Sequence, residues 1–331
     1  MNFTTKIPIQ KSNFPINYNS KILLLGSCFG ENMGEKFHYF KFQATINPFG
    51  IIFNVVSLEK LIHRSVENRK FNENDIFYHN ELWHCFEVHS KLSNPNKEVF
   101  LNNLNSILEL TNRYISSLTH CIITLGTSWV HRNIESKEIV ANCHKVPQKQ
   151  FTKELLSINQ IEESLQSVVS LIHSVNPNCN FIFTVSPVRH IKDGFIENTI
   201  SKAHLISAIY KTITHHPSPI NYFPAFEIMM DELRDYRFYA EDMLHPNQMT
   251  IDYIWIQFFE NYISESEFEI MNEICDIQRA LKHRSFNPNS ESHLKFLANL
   301  KLKVKKIKEK LPQVSFNHLA QKEDTKSTKK N

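Results

Sequence analysis

Two potential nucleophiles, Ser27 and Cys28, lie side by side where an apolar run ends. The stretch KILLLGSCFGENMG (21–34) passes from aliphatic residues through Gly-Ser-Cys into a sequence compatible with a helix. A residue in the first turn of a helix lies near the positive end of the helix dipole, which lowers the pKa of a thiol. The N–H groups of such a turn can also face an oxyanion. The stretch therefore predicts a nucleophile, with either residue as the candidate.

A general base for this nucleophile is predicted in the segment YAEDMLHPNQMT. Its Asp242 and His245 are separated by two residues and precede a helix-like run. With this spacing the carboxylate can bind one imidazole nitrogen, fix the tautomer and stabilise the imidazolium, while the other nitrogen points to the nucleophile. Alone the pattern is weak, because a solvated loop pair has the same spacing.

Three apolar runs of strand length position these residues: ILLL (22–25), CIITL (121–125) and FIFTV (181–185). The segments 98–118 and 158–175 between them have the apolar spacing of helices. Such alternation predicts an α/β fold, a three-layer α/β/α sandwich with a mostly parallel sheet. Because ligands bind outside the carboxyl ends of parallel strands, the residues that follow the three runs are expected at one edge.

The chain changes character after about residue 264, where the sequence becomes charged and helical. We expect an α/β domain over 1–264, a helical C-terminal extension over 265–313 and a polar, Lys-rich tail over 314–331 that is disordered. Lysines crowd from Lys301 onward, although the net charge of the whole chain is only +3. A lysine run without interleaved aromatic residues is typical of a solvated face, so no nucleic-acid partner is expected.

Several other classes of protein are not expected from this sequence. The first residues contain no continuous apolar segment followed by a cleavage site, and no window approaches the roughly 18 apolar residues of a membrane span. Six scattered cysteines without C-x-x-C pairs are typical of reduced thiols in a cytosolic protein. We therefore expect a cytoplasmic protein with no metal, no cofactor and no membrane span.

The words GSCF, NPFG, ANCHK, TVSPVRH and RFYAEDMLHP, in their order along the chain, resemble the bacterial GSCFA-domain family of the SGNH/GDSL hydrolase superfamily. The resemblance covers roughly residues 1–264. It implies the SGNH-hydrolase fold with an added helical appendage. It also implies an esterase or acyltransferase that acts through an acyl-enzyme on an O-acyl substrate, such as an O-acetyl carbohydrate or an envelope precursor.

The resemblance also implies the catalytic roles. The superfamily's Gly-Asp-Ser pattern, laid on Gly26, places Cys28 at the nucleophile and Ser27 at the aspartate, whereas a shift of one residue restores Ser27. Cysteine and histidine perform acyl transfer by the same logic as serine and histidine. His245 then corresponds to the general base and Asp242 to its partner.

The oxyanion hole implied by the resemblance departs from the superfamily pattern. Gly50 matches the glycine whose N–H donates to the oxyanion. The third block, normally Gly-x-Asn, has no asparagine here, because Gly126 is followed by Thr127 and Ser128. Either hydroxyl could donate instead, or Asn47 or Asn142 could substitute. Loss of one donor costs about 3 kcal/mol of transition-state stabilisation.

Residues outside these blocks are candidates for substrate binding. Arg189 and His190 directly follow a predicted strand, and Asn142, His144 and Lys145 lie in a predicted loop. A cationic pair of Arg189 and Lys145 would suit an anionic group, whereas the histidines could equally be structural. The alternative function is a non-catalytic scaffold that binds a glycan or an anionic partner, which the missing asparagine favours.

Overall fold

The computed structural model describes residues 4–216 and 220–316, and parallel strands form its central sheet. The strands, in chain order, are β1 (Lys21–Gly26), β2 (Gln43–Ile46), β3 (Phe77–His79), β4 (Leu82–His84), β5 (His120–Leu125), β6 (Trp129–Asn133), β7 (Ile139–Val140), β8 (Phe151–Leu155), β9 (Asn180–Val185) and β10 (Ile220–Phe223).

Helices connect these strands and flank the sheet. They are α1 (Cys28–Tyr39), α2 (Val55–Val66), α3 (Lys97–Ile115), α4 (Ile158–Val175), α5 (Phe195–His215), α6 (Ala225–Glu227), α7 (Gln248–Tyr262), α8 (Phe268–Lys282) and α9 (Glu291–Lys310). A π-helical turn, Ile228–Leu233, continues α6. Short 3₁₀ helices span Glu73–Asp75, Ser90–Leu92, Gln148–Gln150, Ile191–Asp193, Tyr236–Phe238 and Glu265–Glu267.

The central sheet has the strand order β10-β9-β5-β1-β2, and every pair is parallel. Counted along the chain, its five strands lie in the order 2-1-3-4-5. In a doubly wound sheet of this order, the first and third strands are neighbours, and the side on which successive strands are added reverses between them. Ligands bind at that point. Here that point lies between β1 and β5.

The two faces of the sheet have separate apolar cores, which confirms the predicted three layers. Alternate strand residues point to opposite faces. Leu23 and Leu25 of β1 pack in the core that includes α2, α3, α4 and α5. Ile22 and Leu24 pack in the other core, with α1, α7, α8 and α9. Burial of β1 on both faces explains its unbroken aliphatic run.

The C-terminal helices share a core with the α/β layers. Ile274 and Ile277 of α8 and Val304 and Ile307 of α9 are buried in the core that holds α1 and α7. Phe316, which the sequence prediction placed in the polar tail, is also buried there. The packed chain therefore continues past residue 313, and the remainder of the predicted tail, 317–331, lies outside the described residues.

Two excursions leave the central sheet. The hairpin β3–β4 precedes α3, and a three-stranded antiparallel sheet in the order β7-β6-β8 follows β5. Over residues 4–216 and 220–316, no helix has the length and apolarity needed to cross a membrane.

Candidate functional site

The residues that follow β1, β5 and β9 meet at one edge of the sheet, as the sequence predicts. Gly26 is paired with Thr124, and Leu125 with Val185, so the three strands end at the same level. We call this the β1/β5/β9 edge. It contains the point where the strand order reverses, and it is where a doubly wound sheet places its ligand.

Gly26 is required at this edge by its backbone conformation and by space. Its φ is +121°, and a Cβ there would lie 2.0 Å from the carbonyl oxygen of Thr124. The turn places Ser27 at the N-cap of α1, where its amide donates to the same oxygen at 2.9 Å. Ser27 is fully buried, and its Oγ has no hydrogen-bond partner among the described residues.

Cys28 is the first residue of α1 and is half-buried, so its thiol is the more accessible of the two candidate nucleophiles. Burial raises the pKa of the thiol, while the amide groups of Phe29 and of Cys28 itself and the charge of Lys202 lower it. The net shift is upward. The sequence expectation of a lowered pKa was wrong, because desolvation exceeds the effect of the helix N-terminus.

Asp242 and His245 form the predicted pair. His245 Nδ1 lies 2.6 Å from Asp242 Oδ2, and the amides of Leu244 and His245 donate to Oδ1 at 2.9 and 3.0 Å. These two amide bonds and the imidazole lower the pKa of Asp242 to about 2. The carboxylate is thus ionised and held in place by the backbone, and the imidazole is about half exposed.

The loop that carries this pair is attached to the β1/β5/β9 edge. The amide of Arg189, just beyond β9, donates to the carbonyl oxygen of Leu244 at 3.2 Å. The charges of Lys202 and His245 add to burial in lowering the pKa of His190 to about 3. Arg189 and His190 thus join the loop of the Asp242–His245 pair to the end of β9.

The loop after β2 carries two of the oxyanion donors that the sequence predicts, Gly50 and the alternative Asn47. The Gly50 amide, expected to be free, donates to the Asn47 carbonyl at 2.7 Å within a tight turn. Asn47 Oδ1 accepts the Gly26 amide at 2.8 Å. The other amide atom of this buried side chain, Nδ2, has no partner in the described part of the chain. Asn47 thus has a free N–H group beside the turn that carries Cys28.

The candidate donors after β5 are engaged within the protein. The Gly126 amide donates to the Phe53 carbonyl at 3.0 Å. Ser128 Oγ donates to the Ser201 carbonyl at 3.1 Å, and the Thr127 hydroxyl lies 3.0 Å from Ser201 Oγ. These bonds fix the end of β5 to α5 and to the loop before α2, so the three residues stabilise the edge and are engaged within the protein.

The two substrate-binding candidates after β9 differ in environment. The Arg189 guanidinium lies 5.4 to 5.9 Å from the ring centres of Phe195, Tyr236 and Tyr239, of which Phe195 and Tyr236 are exposed. The His190 ring packs on Phe53, and its Nε2 is buried without a partner among the described residues. Arg189 can reach a ligand at the surface, and His190 remains neutral inside.

Of the three candidates in the loop after β7, His144 and Lys145 contact the β3–β4 hairpin region. His144 is buried, and its Nε2 lies 2.7 Å from the Cys85 carbonyl oxygen. Burial lowers its pKa to about 4. Asn142 Oδ1 accepts the amide of His144, which holds the loop, and only the Lys145 side chain is exposed. Their contacts are those of packing residues, and a contact with substrate stays a prediction.

Lys202 is the functional candidate that the sequence reasoning missed. It is 1% exposed, and its Nζ donates to the carbonyl oxygens of Gly126 and Ser186 at 2.7 and 2.8 Å. The signal was its place in α5, where the buried stripe runs Asn198, Ser201, Lys202, Leu205, Ala208, Ile209 and Thr212. A lysine on the apolar stripe of a helix indicates a specific polar partner.

None of the six cysteines is in a disulfide. In the ranges that the structure describes, no three His, Cys, Asp or Glu side chains group closely enough to hold a metal ion.

Comparison with protein families shows to which family the chain belongs. The model of the GSCFA family matches residues 21–258, which include β1, the Asn47 loop and the Asp242–His245 pair. The chain belongs to the GSCFA family. A second family model also matches this GSCFA chain. It describes the C-terminal domain of GSCFA domain proteins and matches residues 274–322, which include most of α8 and all of α9.

The solved structures that match the chain include an esterase. An acetyl xylan esterase from the rumen bacterium Butyrivibrio proteoclasticus is similar to the GSCFA chain with 11% identity and a TM-score of 0.38. The match covers 74% of the GSCFA chain, which spans 64% of that structure's length. No curated protein matches the sequence.

Proposed function

We propose that this GSCFA chain is an SGNH-type esterase or acyltransferase that acts on an O-acyl group through an acyl-enzyme on Cys28. The observation that carries the proposal is the Asp242–His245 pair, whose carboxylate is fixed by two amides and whose loop is bonded to the edge that holds Cys28. An ionised carboxylate on Nδ1 sets the imidazole tautomer that leaves Nε2 free to accept a proton.

In the proposed first step the Cys28 sulfur attacks the ester carbonyl carbon, and its proton passes to His245 Nε2. The carbonyl oxygen becomes an oxyanion. When the intermediate collapses, the carbon–oxygen ester bond breaks and the alkoxide takes the proton from His245. The products are an alcohol and a thioester on Cys28, with His245 neutral again.

In the second step His245 takes a proton from water, and the resulting hydroxide forms a bond to the thioester carbon. The carbon–sulfur bond then breaks, the thiolate recovers the proton, and a carboxylic acid leaves. A hydroxyl group of an acceptor in place of water gives the transferase. Because the pKa of the Cys28 thiol is raised, His245 must remove the proton during attack and does not meet a preformed thiolate.

The proposed oxyanion hole consists of the Cys28 amide and Asn47 Nδ2. The first amides of a helix have no acceptor within the helix. Asn47 Nδ2 is a buried N–H group without a partner among the described residues, and a buried unsatisfied donor is costly unless a ligand uses it. Asn47 would then perform the role of the asparagine that is missing after Gly126.

We further propose that the substrate is an acylated carbohydrate or envelope precursor bound beside Arg189. The exposed rings of Phe195 and Tyr236 offer stacking surfaces for a sugar, and the guanidinium offers hydrogen bonds to its anionic groups. The alternative, a non-catalytic scaffold that binds a glycan or anionic partner at this surface, is favoured by the raised pKa of Cys28.

Hydrolysis of p-nitrophenyl acetate by purified variants separates the two functions. Cys28→Ala and His245→Ala are expected to lower kcat/KM by at least about 10²-fold. Cys275→Ala, which removes another half-buried cysteine on α8, is the matched control and should retain the wild-type rate. Equal rates in all variants would favour the scaffold, and a loss confined to Ser27→Ala would assign the nucleophile to Ser27.

A further inference from the structure

A buried lysine at the β1/β5/β9 edge has no role in the steps above. Lys202 Nζ is anchored by the Gly126 and Ser186 carbonyl oxygens, and the Phe226 ring centre lies 5.7 Å away. Within the described chain its hydrogen bonds include no carboxylate. Burial of an ammonium group with only carbonyl partners is unfavourable. The position therefore calls for a reason beyond packing.

Hydrogen bonds at the β1/β5/β9 edge place Lys202 and Cys28 at neighbouring strand ends. Gly26, the last residue of β1, pairs with Thr124 of β5. The amide of Ser27, one residue before Cys28, donates to the Thr124 carbonyl oxygen at 2.9 Å, and Gly126 lies two residues beyond Thr124. Because Nζ is 2.7 Å from the Gly126 oxygen, it lies beside the turn that carries the thiol.

The electrostatics agree with this placement. Burial lowers the pKa of Lys202 to about 7, and the charge of Cys28 acts in the opposite direction. In return, the charge of Lys202 lowers the pKa of Cys28 against the effect of burial. An ammonium and a thiolate at neighbouring strand ends would stabilise each other, since opposite charges interact more strongly in a partly buried site than in water.

We propose that Lys202 is a positioning residue whose ammonium group stabilises the anionic form of the Cys28 sulfur during attack and release. The inference rests on the proposed role of Cys28 as nucleophile. Lys202 would act through its charge, and two of the three N–H groups of its ammonium are directed to the Gly126 and Ser186 oxygens that hold it in place. It differs in this from His245, which takes and returns the proton.

Other titratable groups face the pair and must be considered. Glu31, on α1, acts on Cys28 by raising its pKa. His190, after β9, has a pKa of about 3 and therefore stays neutral at the pH values of interest. His245 acts on His190 from the loop before α7. Lys202 is thus the group of this set that brings positive charge to Cys28.

The test follows the labelling of Cys28 by a small thiol reagent, methyl methanethiosulfonate, across pH, read by peptide mass spectrometry. In Lys202→Met the labelling rate below pH 7 should fall by about tenfold or more relative to wild type. The difference should vanish at high pH, where the thiol ionises in both proteins. Lys202→Arg, which keeps the charge, should remain near wild type, and Cys275 serves as an internal control.

The wild type alone also tests the inference, in case the variants do not fold. A thiol coupled to an ammonium of pKa about 7 should label tenfold faster per pH unit below pH 7, pass through a shallow segment above it, and then rise again. The inference would be overturned if the labelling rate rose tenfold per pH unit up to the pKa of the thiol with no shallow segment. Equal labelling profiles for wild type and Lys202→Met would also overturn it.

These readouts do not require esterase activity. If labelling shows the coupling and Cys28→Ala leaves hydrolysis unchanged, the proposed function fails while the electrostatic pairing stands. If Cys28→Ala abolishes hydrolysis and Lys202→Met leaves the labelling profile unchanged, the proposed function stands and the role of Lys202 is refuted.

Discussion

Two histidines of this molecule, His245 and His144, were both candidates for the site, and their surroundings differ in kind. His245 is half-exposed and bonded to an ionised carboxylate that two amides hold. His144 is enclosed by the β3–β4 hairpin region and bonded to a backbone carbonyl. A carboxylate stabilises imidazolium, whereas a carbonyl in a buried site leaves the ring neutral, so the partner of a histidine indicates its role.

Exchange of each histidine for alanine is the strongest test of this difference. His245→Ala should lower kcat/KM by about 10³- to 10⁴-fold, because it removes the base and acid of both steps. His144→Ala should leave kcat/KM within about threefold in folded protein and should lower the free energy of unfolding by about 1–3 kcal/mol. Steady-state kinetics and urea denaturation check both values, and a large kinetic loss in His144→Ala would contradict the comparison.

Removal of the charge on the partner of His245 should have the next largest effect. Asp242→Asn keeps the shape of the side chain but loses the negative charge that stabilises the imidazolium. We expect kcat to fall by about 10²- to 10³-fold while KM changes little. The matching control is Asp235→Asn, which alters an exposed carboxylate paired with Arg237 and should leave kcat unchanged. Equal rates for the two variants would remove Asp242 from the mechanism.

The oxyanion donor can be tested by a change that keeps the turn. Asn47→Asp retains the Oδ1 atom that accepts the Gly26 amide but replaces the Nδ2 donor with an acceptor. The proposed hole then loses one of its two donors, and kcat should fall by about 10²-fold. Gly126→Ala, in contrast, would change the packing against Phe53 and would not test the oxyanion donor. If Asn47→Asp has wild-type kcat, the donor lies elsewhere.

The pH dependence of stability tests the burial of His144 without any substrate. Burial lowers the pKa of His144 to about 4 in the folded protein, below the unfolded value near 6.5. The unfolded chain therefore binds this proton first, so the stabilisation is complete above about pH 6.5 and is lost progressively as the pH falls toward 4. Up to about 3 kcal/mol is involved, and His144→Ala should flatten that part of the urea-derived profile. An unchanged slope would contradict the burial argument.

The sequence predicts the fold well where one local signal determines the structure. The aliphatic runs correspond to β1, β5 and β9, because strands buried on both faces must be apolar throughout. The segment predicted to be helical over 158–175 has those same bounds in α4, where Ser157 and Gln160 form a capping box. The common edge follows from the parallel sheet alone.

The details of the site could not be predicted in the same way, because they depend on contacts between distant segments. The pKa of Cys28 is raised since burial there comes from the surrounding elements and not from α1 alone. The sequence named Gly50 and Asn47 as alternative oxyanion donors but could not choose between them, because only the folded turn engages the Gly50 amide and leaves Asn47 Nδ2 without a partner among the described residues. Lys202 reaches the edge only because α5 packs beside the ends of β5 and β9.

The central claim is that Cys28 carries the acyl group, and peptide mapping after rapid quench tests it most directly. Wild type and Cys28→Ala are mixed with p-nitrophenyl acetate, quenched in acid, digested and examined by mass spectrometry. The account predicts one acetyl group on Cys28 in the wild type, longer-lived in Asp242→Asn, and none on this peptide in Cys28→Ala. An acetyl group on Ser27, or hydrolysis without any adduct on residues 27–28 under conditions that trap a thioester, would contradict it.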